Sequence, residues 1–343
     1  MTLEDRMKRV NMGILGATGA VGEEMLKILD ERDFPVAELR LLASSKSAGK
    51  QIKWQDKSLV VQEVSEDAFN GLDILLVAVG SGISKKFSPI AAQKGVVVID
   101  NSSAFRLEEE VPLVVPEVNP QDAKKHKGII ANPNCSTIIA MTAINELNKY
   151  SPIQRMVVST YQAVSGAGVA GVEELDSQIE SIMNDKPVDA TTFQYQIAYN
   201  LIPHIGPFNE EGYSEEEMKM QNEGKKILHN EDLKVNCTCV RVPVYRSHSE
   251  SITIETQNEI TVDKAKELLK HAKGVKLVDD LEHNRYPMPL ETSNQDLIYV
   301  GRIRKDFSAK NALALWCCGD QVRKGAATNA IQIAELVYSN LKH

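Results

Sequence analysis

The chain is poor in cysteine, with five in 343 residues, at 135, 237, 239, 317 and 318. An odd, low count without a spaced framework excludes a disulfide-stapled scaffold and fits a reducing, cytoplasmic compartment. The C-x₂₋₄-C spacing of a structural zinc site is missing as well. Cys237 and Cys239 alternate within the strand-like Val235–Val242 and share one face, as small buried apolar residues do, so no metal is expected. No apolar run reaches the ~18–20 residues that span a bilayer. The longest, Ile74–Val79 and Val96–Ile99, are strand-sized, and no membrane partner is expected. Met1–Arg9 is polar and charged without an apolar core, so it reads as a short frayed leader, with Met7 an alternative start, and not as a signal peptide. Positive charge is not in excess either: 39 Lys and Arg face 47 Asp and Glu, a net charge of −8. That argues against a nucleic-acid partner, because phosphate contacts need a basic stripe. There is no repeat of solenoid length and no low-complexity tract.

What is present is ordinary globular composition, 43 % hydrophobic and 25 % charged, which excludes collagen, coiled coil and bulk disorder. At roughly 100–200 residues per domain the length suggests two domains. The first third alternates strand and helix patterns. Strands are expected at Val10–Leu15, Glu38–Ala43, Leu59–Val64, Asp73–Val79, Val96–Asp100 and Gly128–Asn132. Helices are expected at Glu23–Leu29 and Ile83–Lys94. Such alternation implies βαβ units and a mostly parallel sheet. After Pro133 the pattern changes. Ser136–Tyr150 reads as a helix, and Asn209–Lys226 as helix plus exposed loop. Arg155–Gln162, Lys234–Val244, Ser251–Glu259 and Asn311–Cys318 alternate apolar and polar residues, the mark of an antiparallel sheet covered on one face. Lys324–Leu341 reads as one amphipathic helix able to return to the first domain. The expected division is therefore 1–134 plus 322–343, and 135–321.

Between the first strand and the first helix the chain reads Gly16-Ala17-Thr18-Gly19-Ala20-Val21-Gly22. Glycines let backbone approach a pyrophosphate, and the following helix N-terminus adds N–H groups and positive dipole. The alternative is a tight strand-to-helix turn without a ligand; strand before and helix after favour the nucleotide. An NAD site places an acid at the end of the second strand, for the ribose 2′-OH. Here that strand runs into Ser44-Ser45-Lys46-Ser47, with no acid. Hydroxyls and a cation suit a 2′-phosphate, so NADP is preferred over NAD.

Cys135 stands between a strand and a helix, in Ala131-Asn132-Pro133-Asn134-Cys135-Ser136-Thr137. A helix N-terminus favours the thiolate, and the first-turn amides are oxyanion donors. Taken alone, a cysteine at a helix start is equally a small buried residue.

The chain then resembles a known family in five places, in order and over almost its whole length. These are Gly16–Gly22, Asn101-Ser-Ser-Ala-Phe-Arg106, Pro133-Asn-Cys-Ser-Thr137, Ser159-Thr-Tyr-Gln-Ala-Val-Ser-Gly-Ala-Gly168, and Arg241 through His248-Ser-Glu250. Together they are similar to the aspartate-semialdehyde dehydrogenases. The resemblance implies a Rossmann-type dinucleotide-binding domain plus an α+β catalytic and dimerisation domain, as in glyceraldehyde-3-phosphate dehydrogenase. It implies NADPH-dependent reduction of 4-aspartyl phosphate to aspartate 4-semialdehyde and inorganic phosphate, toward lysine, threonine and methionine. It also implies a homodimer or homotetramer.

Residue by residue, the resemblance makes Cys135 the nucleophile and His248 the general acid/base, with Gln162 holding the substrate. Arg241 would clamp the α-carboxylate and Glu216 meet the α-ammonium. Arg106, Asn134 and Lys219 would bind phosphate. Ser165 and Gly166 would lie near the nicotinamide, and Asn329 near the cofactor. Each has a plainer alternative. His248 alone could be a surface hydrogen-bonder, Arg241 a cross-strand ion-pair partner, Gln162 a strand end. Arg106 could pair with Glu108–Glu110. Glu216 and Lys219 could be one solvated i, i+3 pair, and Glu215 and Glu217 crowd that position. Arg241 and His248 are seven apart, so on one straight strand they would face opposite ways; Pro243 and Tyr245–Ser247 must bend or end the strand. Asn132 stands where relatives often carry Cys, and Lys46 where many carry Arg. The sister reaction on N-acetylglutamyl phosphate would have no use for an ammonium-binding Glu216.

Overall fold

Residues 9–341 are described in a computed structural model, and of Met1–Arg9 only Arg9 falls inside that range. The chain divides into two units, one running to Asn134 and resuming at Ala326, the other Cys135–Gly325.

The first unit is a seven-stranded sheet. Its strands are β1 (Val10–Leu15), β2 (Val36–Ala43), β3 (Gln51–Trp54), β4 (Lys57–Glu63), β5 (Ile74–Val77), β6 (Val97–Asp100) and β7 (Ile129–Ala131), in the order β3-β4-β2-β1-β5-β6-β7. Every pair is parallel except the β3/β4 hairpin. Helices α1 (Ala20–Glu31) and α2 (Ser81–Gln93) supply crossovers. β5, Ile-Leu-Leu-Val, is apolar and buried throughout because both its faces are covered. Ile74 and Leu76 face a layer containing Met12, Ile14, Met25 and Ile28. Leu75 and Val77, one residue out of phase, face Leu42, Phe87 and Val98. Ile14 and Leu75 are wholly buried, and each such side chain contributes about 1.5–3 kcal/mol. Of the β3/β4 hairpin the expected Leu59–Val64 strand is β4, while β3 was not legible: Gln-Ile-Lys-Trp is a short edge strand whose one buried side chain, Trp54, donates from Nε1 to the Leu26 carbonyl at 3.1 Å.

The second unit holds α3 (Cys135–Tyr150), β8 (Ile153–Gln162), α4 (Val169–Met183), α5 (Glu215–Leu228), β9 (Lys234–Arg241), β10 (His248–Thr256), α6 (Val262–Lys270), β11 (Val275–Leu277), α7 (Pro289–Thr292), β12 (Ile298–Lys305) and β13 (Ala312–Gly319). Its sheet runs β11-β12-β13-β10-β8-β9. The β10/β8, β10/β13 and β12/β13 pairs are antiparallel, as expected, while β8/β9 and β11/β12 are parallel. Along β8 and β10 burial alternates, the signature of a sheet with one covered face.

Several boundaries differ from the sequence expectation. The Lys234–Val244 strand stops at Arg241, just before Pro243, which has no N–H to give a ladder. The Ser251–Glu259 strand begins three residues earlier, at His248, and ends at Thr256. Arg241 and His248 therefore lie on different strands. Because β8 sits between β9 and β10, the 242–247 connection carries the chain from one side of β8 to the other, with Ser247 at φ +78°. The single helix expected over Lys324–Leu341 is instead a π-turn, Arg323–Ala327, followed by α8 (Thr328–Leu341). Through Ile331, Ala334 and Val337, α8 joins the first unit's core beside α1. No helix among the described residues is long and apolar enough to cross a membrane.

Candidate active site

Cys135 is the first residue of α3 and is half-buried, while the other four cysteines are buried and all five are free. The Cys237 thiol is pushed far up by its contact with the Cys239 sulfur at 3.7 Å and by burial. Burial raises Cys317, and brings Cys318 to about 12. Burial disfavours the thiolate at those three, and Cys239 is buried as well, which leaves Cys135, half-buried at a helix start whose dipole favours the anion, as the candidate nucleophile.

The sheet delivers the polar partners from strand ends. Gln162 closes β8 and Arg241 closes β9, directly opposite each other in the parallel register. His248 opens β10, on the far side of β8. All three are buried. Gln162 accepts from the Thr160 hydroxyl at 2.9 Å and donates from Nε2 to Glu216 at 3.1 Å. Arg241 donates from Nη1 to the Ala163 carbonyl at 2.7 Å and lies 5.8 Å over the Phe193 ring. Burial lowers the Arg241 pKa, while Glu216 and Cys135 act to hold its charge.

The crowded acids of α5 sort themselves out. Ser214 and Glu217 form a capping box, and the other Glu217 oxygen accepts the Cys239 N–H at 3.0 Å. Glu217 is thereby consumed in holding α5 to β9. Glu215 is exposed. Glu216 is the acid that reaches Gln162, and its second oxygen lies 3.2 Å from the Lys219 ammonium. Burial works against the Lys219 charge, but Glu216 and Glu215 outweigh it and hold its pKa up. The i, i+3 pair is thus not a solvated one.

His248 is wholly buried. Its Nδ1 accepts the Ala163 N–H at 3.0 Å, and its Nε2 has no partner among the described residues. Burial, with the Arg241 charge adding to it, pushes the imidazole down to about 3. Two residues along, Glu250 is also wholly buried; both its oxygens lack partners among the described residues, and burial raises its pKa well above the usual carboxylate range.

Ser165 and Gly166 follow β8. A Cβ on Gly166 would stand 2.8 Å from Arg241 Nη1 and 3.2 Å from His248 Cε1. The missing side chain is what lets the guanidinium and the imidazole border one space. Gly166→Ala should therefore lower kcat/KM about tenfold or more through displacement of either group, with little change in Tm. Steady-state kinetics beside a melting curve checks this, and an unaltered kcat/KM would refute the crowding argument.

Two residues that sequence reasoning passed over support this end of the sheet. Gln321 donates to the Ser165 hydroxyl and accepts the Ser247 N–H at 2.8 Å. Buried Asp320 accepts from Arg246 Nε and the Asn294 N–H, both at 2.6 Å, and from the Val322 and Arg323 amides. Gly-Asp-Gln after an apolar strand carries no signal of such bonding, because the partners other than the Val322 and Arg323 amides are 26–156 positions away.

The remaining candidates are on the first unit. Arg106 is buried and donates to the Asn132 carbonyl at 2.9 Å and the Asn101 carbonyl at 2.7 Å, so it does not pair with Glu108–Glu110 through those atoms. Asn134, also buried, directly precedes Cys135. Asn329 is wholly buried, and its Nδ2 donates to Asn132 Oδ1 at 2.6 Å and the Val114 carbonyl at 3.0 Å. This places it as a brace for the Asn132 amide.

The Gly16–Gly22 turn fits a dinucleotide. Gly16 has φ +93°, and a Cβ there would meet the Ala78 carbonyl at 2.3 Å; one on Gly22 would meet the Gly16 carbonyl at 2.2 Å. Gly19 caps α1 without a side-chain bond, so no side chain takes the first-turn amides through the cap. Ala17 is buried under the turn, while Gly19 and Ala20 are exposed at its crest. Ser44, Ser45 and Lys46 are exposed after β2, and Thr18 reaches the Ser47 hydroxyl at 3.4 Å, tying this polar turn to the glycine turn. Among the described residues no group of three or more His, Cys, Asp or Glu is placed to hold a metal.

Comparison with known proteins gives two family matches. Residues 11–126 match the semialdehyde dehydrogenase NAD binding domain, and residues 145–324 the semialdehyde dehydrogenase dimerisation domain. The chain is 50 % identical to aspartate-semialdehyde dehydrogenase of Synechocystis sp., covering 96 % of this chain and 97 % of that one. It is 51 % identical to the enzyme of that name from Aquifex aeolicus, covering 95 % and 97 %. A solved structure of aspartate semialdehyde dehydrogenase II from Vibrio cholerae, complexed with ASA, matches with a TM-score of 0.95 at 45 % identity, over 97 % of this chain and 99 % of that one.

Proposed function

This chain belongs to the aspartate-semialdehyde dehydrogenase family, and from that premise we propose which of its side chains perform the reaction. The enzyme converts 4-aspartyl phosphate to aspartate 4-semialdehyde, reversibly and with NADP, through a cysteine acyl-thioester. The observation that carries the assignment is the meeting of Gln162, Arg241, His248 and Glu216 at the ends of β8, β9, β10 and the start of α5.

Cys135 is the nucleophile. Its thiolate attacks the acyl carbon, and the bond to phosphate breaks as the C–S bond forms. Arg241 clamps the substrate α-carboxylate with its planar fork, and Glu216 receives the α-ammonium. Gln162, held from both ends by Thr160 and Glu216, keeps the acyl group beside the sulfur. Arg106, Asn134 and Lys219 serve the phosphate. The cationic groups are local, which is how a protein of net charge −8 binds an anionic substrate. Gly16–Val21 hold the pyrophosphate and Ser44–Ser47 the 2′-phosphate, with Ser165, Gly166 and Asn329 toward the nicotinamide. When bound, NADPH supplies the hydride that reduces the thioester carbon.

In this reading residues 1–134 with 322–343 form the cofactor domain and 135–321 the catalytic and dimerisation domain. The assembly is a homodimer or a homotetramer, and the free cysteines suit the cytoplasm. The test follows NADPH formation from NADP and aspartate 4-semialdehyde with and without inorganic phosphate. Turnover that requires phosphate supports the assignment; turnover only with the N-acetylated five-carbon semialdehyde would replace it.

A further inference from the structure

We propose that Glu174 and Gln178, one turn apart on α4, are positioning residues for the Arg241 guanidinium: they clasp the 189–202 segment, and that segment holds Arg241 by a ring and by its backbone. This rests on the carboxylate-clamp role proposed for Arg241 above and names what fixes the plane of its fork.

The described chain runs from Met183 to Glu215 without a helix or a strand. Such a stretch has no ladder to satisfy its backbone, and loops beyond about 12–15 residues are uncommon unless they serve a site. Two side chains of α4 supply partners. Glu174 and Gln178 are i, i+4, so they share a face of the helix, and both are buried. One Glu174 oxygen accepts from the Thr191 N–H and hydroxyl, both at 2.9 Å, and from the Thr192 N–H. The other accepts from the Phe193 N–H at 3.3 Å and from Gln178 Nε2 at 3.2 Å. Gln178 Oε1 accepts the Ile197 and Ala198 N–H groups at 2.8 and 3.0 Å, and its Nε2 also donates to the Asp189 carbonyl at 2.9 Å. Five backbone amides of the segment thus end on two side chains. Burial works against the Glu174 charge, but the Thr192, Thr191 and Phe193 donors outweigh it and hold its pKa below the usual carboxylate value.

The clasped segment reaches Arg241 at two points. Phe193 is buried against α4, where a Cβ on Gly171 would stand 3.1 Å from its Cζ, and the Arg241 guanidinium carbon lies 5.8 Å from its ring centre. That separation is within cation–π range. Further along, the Ile202 N–H donates to the Arg241 carbonyl at 3.0 Å, and the Arg241 N–H to the Ile202 carbonyl at 2.8 Å. β9 therefore ends on an antiparallel bridge to this segment. Phe193, Ile197, Ala198 and Ile202 share one small apolar cluster with Leu175 of α4, which couples the two anchor points.

A carboxylate clamp has use for such a frame. A guanidinium grips a carboxylate bidentately only when the plane of its fork meets both oxygens. The arginine side chain has enough rotamer freedom that this plane must be imposed. The Ala163 carbonyl takes Nη1 at 2.7 Å and fixes one corner. One hydrogen bond still allows the group to turn about it, and the face of the Phe193 ring opposes that turn. The Phe193 backbone is in turn held by Glu174. Loss of the clasp therefore frees the fork while leaving its charge in place.

Steady-state kinetics of the full-length enzyme in the direction of NADPH formation test this, with a melting curve for every variant. Glu174→Ala should raise KM for aspartate 4-semialdehyde about tenfold or more, with KM for NADP and for phosphate within about twofold of the parent. A role confined to folding would lower Tm and kcat per protein and leave every KM alone; that result overturns the proposal. Phe193→Leu keeps apolar bulk and loses the π face, so it tests the same link should the alanine variant not fold. It should raise the same KM about 3–30-fold, and an unchanged KM in folded Phe193→Leu overturns the proposal as well. In the Arg241→Lys background, Glu174→Ala should add less than about twofold to KM, because it acts through the group already replaced. Independent, multiplying effects would show the clasp acting elsewhere and refute it. Arg241→Lys alone judges the clamp assignment, so the two readings can fail separately.

Discussion

Cys135→Ser should reduce phosphate-dependent turnover by about 10⁴-fold or more, on the scale of removing an enzyme's nucleophile, while leaving the fold intact. The swap is close to isosteric, and Cys135 is half-buried, so little packing is lost. What changes is the chemistry. A hydroxyl at the start of α3 remains protonated where the helix dipole favours a thiolate, because that dipole shifts a pKa modestly and a serine hydroxyl lies far above neutrality. No second thiol can stand in, since Cys237, Cys317 and Cys318 have raised pKa values and Cys239 is buried. Turnover and a melting curve, measured together, decide it. Near-normal activity in the serine variant would remove Cys135 from the mechanism.

Arg241→Lys should raise KM and lower kcat/KM by about 10²–10³-fold, equivalent to two charge-assisted hydrogen bonds at about 1.5–3 kcal/mol each, partly replaced by one. Arg241 already spends Nη1 on the Ala163 carbonyl and lies over Phe193, so the fork is fixed before substrate arrives. A lysine ammonium has no planar pair of donors and keeps neither the stack nor the reach. It also leaves the Ala163 carbonyl without that donor, on the residue whose amide holds His248. The outcome to look for is a KM effect larger than the kcat effect; an unchanged KM would count against the carboxylate clamp.

The parallel sheet of the first unit was legible because buried strands read as apolar runs and the glycine turn marks the first crossover. What escaped was Gln51–Trp54, a polar edge strand defined by its partner and not by its own pattern. In the second unit alternation predicted a sheet correctly, but periodicity says nothing about which strands pair. It could not show that β8 comes between β9 and β10. That one fact resolves the odd spacing of Arg241 and His248: they need not share a strand face, because they flank Gln162 from opposite sides. Motif spacing pointed to the candidate side chains, whose identities are local. The supports were invisible because they are long-range: Ala163 against His248, Gln321 against Ser165 and Ser247, Asp320 against Arg246. Glu216 could be separated from Glu217 only once the capping box and the Cys239 amide had claimed the latter.

The four sealed cysteines make the second unit report on its own integrity. In the native protein an alkylating agent meets one half-exposed sulfur, Cys135, and four that are buried in the sheet. With Cys135 as the proposed nucleophile, its modification should stop turnover at once, whereas modification of the others must wait for β9 and β13 to open. Labelling should therefore arrive in two waves, a fast one counting competent active sites and a slow one timing excursions of the sheet. A preparation damaged in storage would betray itself by losing the gap between them before it loses solubility.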